Sequence, residues 1–229
     1  KDNSLQSSLS SQDKKEKNNS KNEESGDKYF NNISTLVGHK NFISCLDYIR
    51  EDEIVSGSYD KTVKVWSLTE ARCLFTLEGH VDKISGVLVL DLDKEKRRKN
   101  NKTSMEKNYS FWLVSSSWDQ SLKVWDINIT HTEGLCIKTL FNHEEPIKCI
   151  AKINNTSFSS CSKEGVLIIW VCKENELHQR KTITNKSLCN VKSMILLNDL
   201  EIVTGGVDMN ISIWNTENGN HIKDLKDEE

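Results

Sequence analysis

The sequence predicts an all-β protein made of repeated four-stranded antiparallel units, and three observations carry that expectation. Trp66, Trp125, Trp170 and Trp214 each close a short run rich in β-branched residues: 62–66 (TVKVW), 121–125 (SLKVW), 166–170 (VLIIW) and 210–214 (NISIW). An acid stands six residues before each of these tryptophans, at Asp60, Asp119, Glu164 and Asp208. A hydroxyl stands four residues before each acid, at Ser56, Ser115, Ser160 and Thr204. Positions that recur together at a period of about 40–45 residues, lengthened once by an insertion, indicate a repeat architecture, in which each unit is one supersecondary element.

Within a unit the short apolar runs alternate with turn residues. In the first they fall at 42–48, 53–58, 62–66 and 73–77, with 58–61 (SYDK) as a turn between the second and third. Runs of this length and composition, punctuated this way, read as strands. Three units also carry an upstream histidine, His39, His80 and His143; the fourth has Lys186 and Ser187 at that place. His39 to Trp66 and His143 to Trp170 are both 27 residues apart, whereas His80 to Trp125 is 45. The surplus is one polar insertion, 92–110, between the first and second strands of the second unit. It is expected to be disordered; its basic core 94–102 (KEKRRKNNK) has the composition of a targeting or nucleic-acid patch, but polar tracts are compositional before they are functional.

The remaining organisation follows from composition. Residues 1–32 contain only Leu5, Leu9, Tyr29 and Phe30 as large apolar side chains. So little apolar surface cannot offset the entropy of ordering the backbone, so this is expected to be a disordered polar tail ahead of a repeat domain at 33–229. Lys1 in place of Met leads to the expectation that the sequence begins inside a longer polypeptide. The net charge of −3, from 31 basic and 34 acidic residues, argues against a general nucleic-acid binder. Seven cysteines, without CxxC spacing and mostly inside apolar runs, read as small hydrophobes rather than a disulfide framework. No apolar stretch of membrane-spanning length and no signal peptide is apparent, which predicts a reducing, cytoplasmic or nuclear setting.

Gly-His, then a hydroxyl, an acid and a Trp-Asp dipeptide, at this period, resembles the WD repeat. The resemblance covers residues 33–226. Only Trp125-Asp126 keeps the signature dipeptide; the other tryptophans are followed by Ser67, Val171 and Asn215. The resemblance implies a β-propeller with four blades present out of a seven-blade ring, and a strand at 33–37 that completes the last blade of that ring. It also implies that the sets His39, Ser56, Asp60, Trp66; His80, Ser115, Asp119, Trp125; His143, Ser160, Glu164, Trp170; and Thr204, Asp208, Trp214 form hydrogen-bonded ties between each entering loop and inner turn. Less regular blades are expected where Glu164 replaces Asp and where the fourth histidine is missing. A Ser/His/Asp hydrolytic triad is the competing reading, but a triad occurs once per active site and this set recurs once per blade.

Partners of such propellers bind on the narrow top face. By spacing, the resemblance places there Phe42, Ser44 and Tyr59; Lys83, Ser85 and Trp118; Pro146, Lys148 and Lys163; and Asn190, Lys192 and Val207. Aromatics and cations dominate this set and no acid occurs in it, which favours an acidic or phosphorylated protein segment. The expected function is a non-enzymatic interaction scaffold or adaptor in a multiprotein complex, without cofactor, metal or membrane. The alternative is the substrate-recognition propeller of a ubiquitin ligase. Fold alone does not decide between them.

Overall fold

A computed structural model describes residues 34–225 apart from 93–109, 129–133, 174–175, 190 and 199. It contains sixteen strands in four antiparallel sheets among the described residues. Blade 1 is β1 (Ile43–Arg50), β2 (Glu53–Ser58), β3 (Val63–Ser67) and β4 (Arg72–Leu77). Blade 2 is β5 (Ile84–Leu90), β6 (Ser110–Ser117), β7 (Leu122–Asn128) and β8 (Leu135–Leu140). Blade 3 is β9 (Ile147–Asn154), β10 (Ser157–Ser162), β11 (Glu164–Lys173) and β12 (Glu176–Cys189). Blade 4 is β13 (Val191–Asn198), β14 (Glu201–Gly206), β15 (Ile211–Asn215) and β16 (His221–Leu225). Every sheet is a meander in chain order, the topology of a β-propeller.

The first strand of each sheet is the inner one. β1 packs on β5, β5 on β9 and β9 on β13, with no comparable packing of β13 on β1. Three apolar clusters fill the seams. One joins blades 1 and 2 around Val55, Val87 and Trp125; one joins blades 2 and 3 around Leu88, Phe158 and Trp170; one joins blades 3 and 4 around Ala151, Met194 and Trp214. Four blades with three seams leave two faces uncovered, and single positions in the register show which. Leu46, Val87 and Met194 all lie opposite the repeat hydroxyl of their neighbouring strand. Leu46 is 63% exposed against 7% and 8% for the other two, so the outer face of blade 1 is bare. One residue on, where the side chain points to the other face, Ile195 is 58% exposed against 3% for Leu88 and 8% for Ala151. The far face of blade 4 is bare as well.

Polar groups reinforce the first seam. Ser44 Oγ donates to Ile84 O at 2.7 Å, and Val89 N donates to Asp47 Oδ2 at 2.7 Å. Gly57 permits the close approach there, since a Cβ would lie 2.5 Å from Ile84 Cγ2 and 2.6 Å from Cys45 Sγ.

Two expectations need correction. Residues 34–37 form no strand, and Ile33 lies outside the described residues. Each of the four blades supplies its own outer strand, so none of them is completed by residues 33–37. Ser110 belongs to β6 and not to the insertion; residues 93–109 of that insertion, like the tail 1–32, lie outside the described residues.

Candidate functional site

Each blade turns from its second strand to its third through a residue in the left-handed region: Lys61 (φ 73°), Gln120 (71°), Gly165 (87°) and Met209 (61°). The acid of the repeat immediately precedes that residue, and in blades 1 and 2 the turn aims its carboxylate back at the loop entering the blade. Three non-glycine residues hold this conformation, which is sparsely populated for them, only because the surrounding bonds fix it.

In blade 1, His39 Nδ1 lies 2.8 Å from Asp60 Oδ2 and Nε2 lies 2.7 Å from Ser56 Oγ, which accepts the Trp66 indole N–H at 2.7 Å. A carboxylate can only accept, so the Nδ1–H donates to it. The Asp60 carboxylate also takes the Lys40 amide at 2.8 Å and the Thr62 hydroxyl at 2.6 Å. Blade 2 repeats this with His80–Asp119 and His80–Ser115 at 2.8 Å, Trp125 Nε1 to Ser115 at 2.8 Å, and Val81 N and Ser121 Oγ on Asp119. Burial alone would raise both carboxyls. At Asp60 the Thr62 hydroxyl and the Lys40 and His39 bonds outweigh it; at Asp119 the His80 and Ser121 bonds do, and both acids end well below the usual carboxylate range.

Blades 3 and 4 keep only part of the set. His143 Nε2 and Trp170 Nε1 still meet on Ser160 Oγ at 2.7 and 2.9 Å. Glu164, however, is exposed at the start of β11, and His143 Nδ1 is buried without a hydrogen-bond partner. Two sequence changes account for this. Glutamate is one methylene longer than the acid the turn is shaped for, and Val166 stands where Thr62 and Ser121 supply the hydroxyl that anchors that acid. Burial without a partner pushes the His143 imidazole down to about 4. In blade 4, Trp214 donates to Thr204 Oγ1 at 2.9 Å, but Asp208 reaches only its own turn, at 3.4 Å from Asn210 N. There His221 of the outer strand packs edge-on to Trp214, ring centres 4.9 Å apart, and bonds Asp224 at 2.8 Å. Glu164 and Asp208 therefore stand outside the tie expected of them.

Ser58 and Ser117, which the sequence reading passed over, add a second tie. Each hydroxyl caps the turn, taking Asp60 N at 3.0 Å and Asp119 N at 3.1 Å, and donates back to the entering loop at Asn41 O and Asp82 O. The signal was present, a serine two residues before the acid in three of the four units.

The chain matches the family model described as "WD domain, G-beta repeat" at residues 30–67, 104–126 and 134–171. The chain is a WD40-repeat protein. Its fourth blade, without the histidine, lies outside the matched segments. A ribosome biogenesis protein WDR12 homolog of Culex quinquefasciatus is 24% identical over 197 residues, which is 77% of this chain and 42% of that protein. An uncharacterized WD repeat-containing protein of Schizosaccharomyces pombe is 30% identical over 143 residues, 59% of this chain and 34% of that one. Among solved structures, the WD40 β-propeller domain of Doa1 superposes with a TM-score of 0.62 at 24% identity, covering 83% of this chain and 55% of that one. The chain thus spans less than half the length of these curated relatives.

The starts of the first strands and the turns after the second strands carry the second group of residues. One backbone bond in each of blades 1, 2 and 3 pins its two loops together: Tyr59 N to Phe42 O at 2.8 Å, Trp118 N to Lys83 O at 3.0 Å, and Lys163 N to Pro146 O at 2.9 Å. The side chains above form a continuous row. The rings of Phe42 and Tyr59 meet edge to face with centres 6.1 Å apart. Lys83 Nζ lies 4.8 Å from the Tyr59 ring centre and 3.2 Å from that of Trp118, and Lys148 Nζ lies 3.5 Å from Trp118. Burial, and then the charges of Lys192, Lys83 and Lys163, lower the pKa of Lys148, so all four lysines of the set share one field. Ser44 and Ser85 are turned inward, onto Ile84 O and onto Ser116 Oγ at 3.0 Å, and present no free hydroxyl. Val207 is exposed, and Asn190 lies outside the described residues.

The sequence reading also missed a groove of about 420 Å³ between blades 1 and 2, lined by Lys40, Lys61, Lys64 and Glu78 among others. It is assembled from the entering loops of two successive repeats, so no single repeat announces it.

Proposed function

We propose that this WD40 chain is a non-enzymatic interaction module whose top face, centred on Trp118, takes an acidic or phosphorylated protein segment. The observation that carries the reading is the convergence of Lys83, Lys148, Lys163 and Lys192, four cations in one field without a neutralising acid among the twelve top-face residues. Gathering like charges costs free energy unless a ligand of opposite sign uses them, and aromatic side chains beside them supply anchoring area. The complete His–hydroxyl–acid sets of blades 1 and 2 are consumed in tying the entering loop to the turn, which leaves them no role as a nucleophile system. WD40 propellers generally act as interaction scaffolds, and the WDR12 homologues, matched over three quarters of this chain, are named for ribosome biogenesis. That supports a nuclear multiprotein assembly as the setting in preference to a ubiquitin ligase. The ligand here is protein rather than nucleic acid, since the chain as a whole is net acidic.

The test is binding of the full-length protein to arrays of acidic, phosphorylated and neutral peptides at low and physiological salt. Lys148→Glu with Lys163→Glu is expected to reduce affinity for the anionic peptides at least tenfold, mainly through slower association, and to flatten the salt dependence. Anionic peptides that bind the double variant as tightly as the wild type would move the site off this face.

A further inference from the structure

Five of the six tryptophans are buried, four of them as the Trp of a repeat; Trp118 is the exception, partly exposed on the turn between β6 and β7. An indole is among the strongest anchors an interface can offer, yet here the ammonium groups of Lys83 and Lys148, at 3.2 and 3.5 Å from the ring centre, occupy its π surface. We propose that Trp118 is a second, covered binding element of the top face, exposed when an anion engages Lys83 and Lys148, so that the face selects segments bearing a phosphate or carboxylate next to an apolar side chain. The inference rests on the acidic-segment reading above and adds what that reading lacks, a requirement at the neighbouring residue.

The physical argument is one of competition. A cation–π contact at a partly exposed ring is weak, while a charge-assisted bond to a phosphate or carboxylate is about twice as strong as a neutral hydrogen bond. An arriving anion therefore outbids the indole for each ammonium. Lys148 is the readier to leave, because burial and the Lys192, Lys83 and Lys163 charges already oppose its ammonium where it stands. Once the lysines turn to the anion, bare indole faces the solvent directly beside it. A leucine or isoleucine next in sequence to the anionic residue has its Cα only about 3.8 Å from that residue's Cα, which brings its side chain within reach of the ring. Tyr59, 4.8 Å from Lys83 Nζ, and exposed Phe42 extend the apolar strip toward blade 1. A segment with the anion alone leaves the indole wet, and one with the apolar residue alone meets a ring covered by charge.

The experiment reads Trp118 directly, as the acrylamide quenching that disappears from full-length protein on Trp118→Phe. Without any ligand, Lys83→Gln with Lys148→Gln is expected to raise that quenching about twofold by removing the cover. The binding arm uses three heptapeptides with a central phosphoserine–leucine, phosphoserine–glycine or serine–leucine pair. Phosphoserine–leucine is expected to bind at least tenfold tighter than phosphoserine–glycine and to protect Trp118, phosphoserine–glycine to bind and leave Trp118 more quenched, and serine–leucine not to bind. Equal affinity for the two phosphopeptides, or quenching unmoved by the lysine changes, overturns the covered-anchor inference and leaves the acidic-segment reading standing. Failure of both phosphopeptides to bind overturns the two together.

Discussion

Blades 1 and 2 and blades 3 and 4 solve the same packing problem with different parts. In the first pair, loop, turn and core are joined by an unbroken chain of indole, hydroxyl, imidazole and carboxylate, with His80 and Asp119 almost wholly shielded from solvent. In the second pair only the indole–hydroxyl bond survives in both, at 2.9 Å in each. The blades nevertheless form the same four-stranded meander. The indole, buried and bonded to its hydroxyl, is thus the part that all four blades share. The acid end of the chain is an addition that fixes the entering loop.

The largest effect should therefore fall on the shared part. Trp125→Ala removes a buried indole from the seam between blades 1 and 2 and leaves Ser115 short of its donor. Truncations of this kind cost about 3–5 kcal/mol, a large part of a domain's stability. Urea unfolding should place Trp170→Ala in the same range despite the incomplete tie in its blade. A cost for Trp170→Ala below about 1.5 kcal/mol would break the claim that the indole carries both kinds of blade.

The acids should separate the two halves. Asp119→Ala strips the carboxylate from a buried imidazole, two backbone or hydroxyl donors and the turn, with an expected cost of about 2–3 kcal/mol. Glu164→Ala and Asp208→Ala, which remove an exposed and a half-buried carboxylate bonded to no histidine, should stay within about 0.5 kcal/mol of wild type. A thermal melt of the three variants side by side is sufficient. Equal losses in all three would mean that the tie is no more complete in blade 2 than in blades 3 and 4.

These differences were only half legible in the sequence. The strands were, because β-branched runs, turn residues and a recurring tryptophan leave one arrangement that buries each unit's apolar face. So were the members of the complete ties, since each is a separate residue at a fixed offset. What offsets do not reveal is reach. Glu164 occupies the right position and fails on side-chain length and on Val166 two residues later, which matters only once the turn is seen. The bare faces of blades 1 and 4 depend on neighbours rather than on residue identity: Leu46 and Val87 are alike in chemistry and opposite in exposure. The row from Phe42 to Lys148 was named residue by residue, but its stacking across three blades is a property of the fold.

The two halves should also respond to acid in different windows. His143 in the folded chain has a pKa near 4, below its ordinary 6.5, so between those values the unfolded chain binds more protons than the folded one. Stability from this group is then complete above about pH 6.5, falls as pH drops toward 4 and falls no further below it, for a total of about 3 kcal/mol at one unit per 1.4 kcal/mol. Asp60 and Asp119 are lowered acids, so their contribution is full above the ordinary carboxylate range and is lost only as pH falls through and below it. Indole N–H resonances should show it: Trp170 loosens between pH 6 and 4.5 while Trp66 and Trp125 hold. Simultaneous loss of all three would place the acid sensitivity outside His143.

The smallest effect is the most pointed, because it attempts to convert one kind of blade into the other. Glu164→Asp with Val166→Thr gives blade 3 the acid and hydroxyl of blade 1, at the same offsets from His143 and Ser160. Gly165 already holds the left-handed turn, at φ 87°, as Lys61 does at 73°, so the shorter carboxylate is aimed without backbone rearrangement. His143 Nδ1 gains the acceptor it lacks. The expected gain is about 1 kcal/mol at pH 7, the net worth of a charge-assisted bond set against the loss of apolar Val166 surface. It should appear together with an upward shift of the His143 pKa and disappearance of the loss between pH 6.5 and 4. Glu164→Asp alone should give less, because without the threonine hydroxyl nothing holds the carboxylate against the imidazole. If the double variant were no more stable and His143 still titrated near 4, the missing tie would have to be traced to the path of the loop entering blade 3.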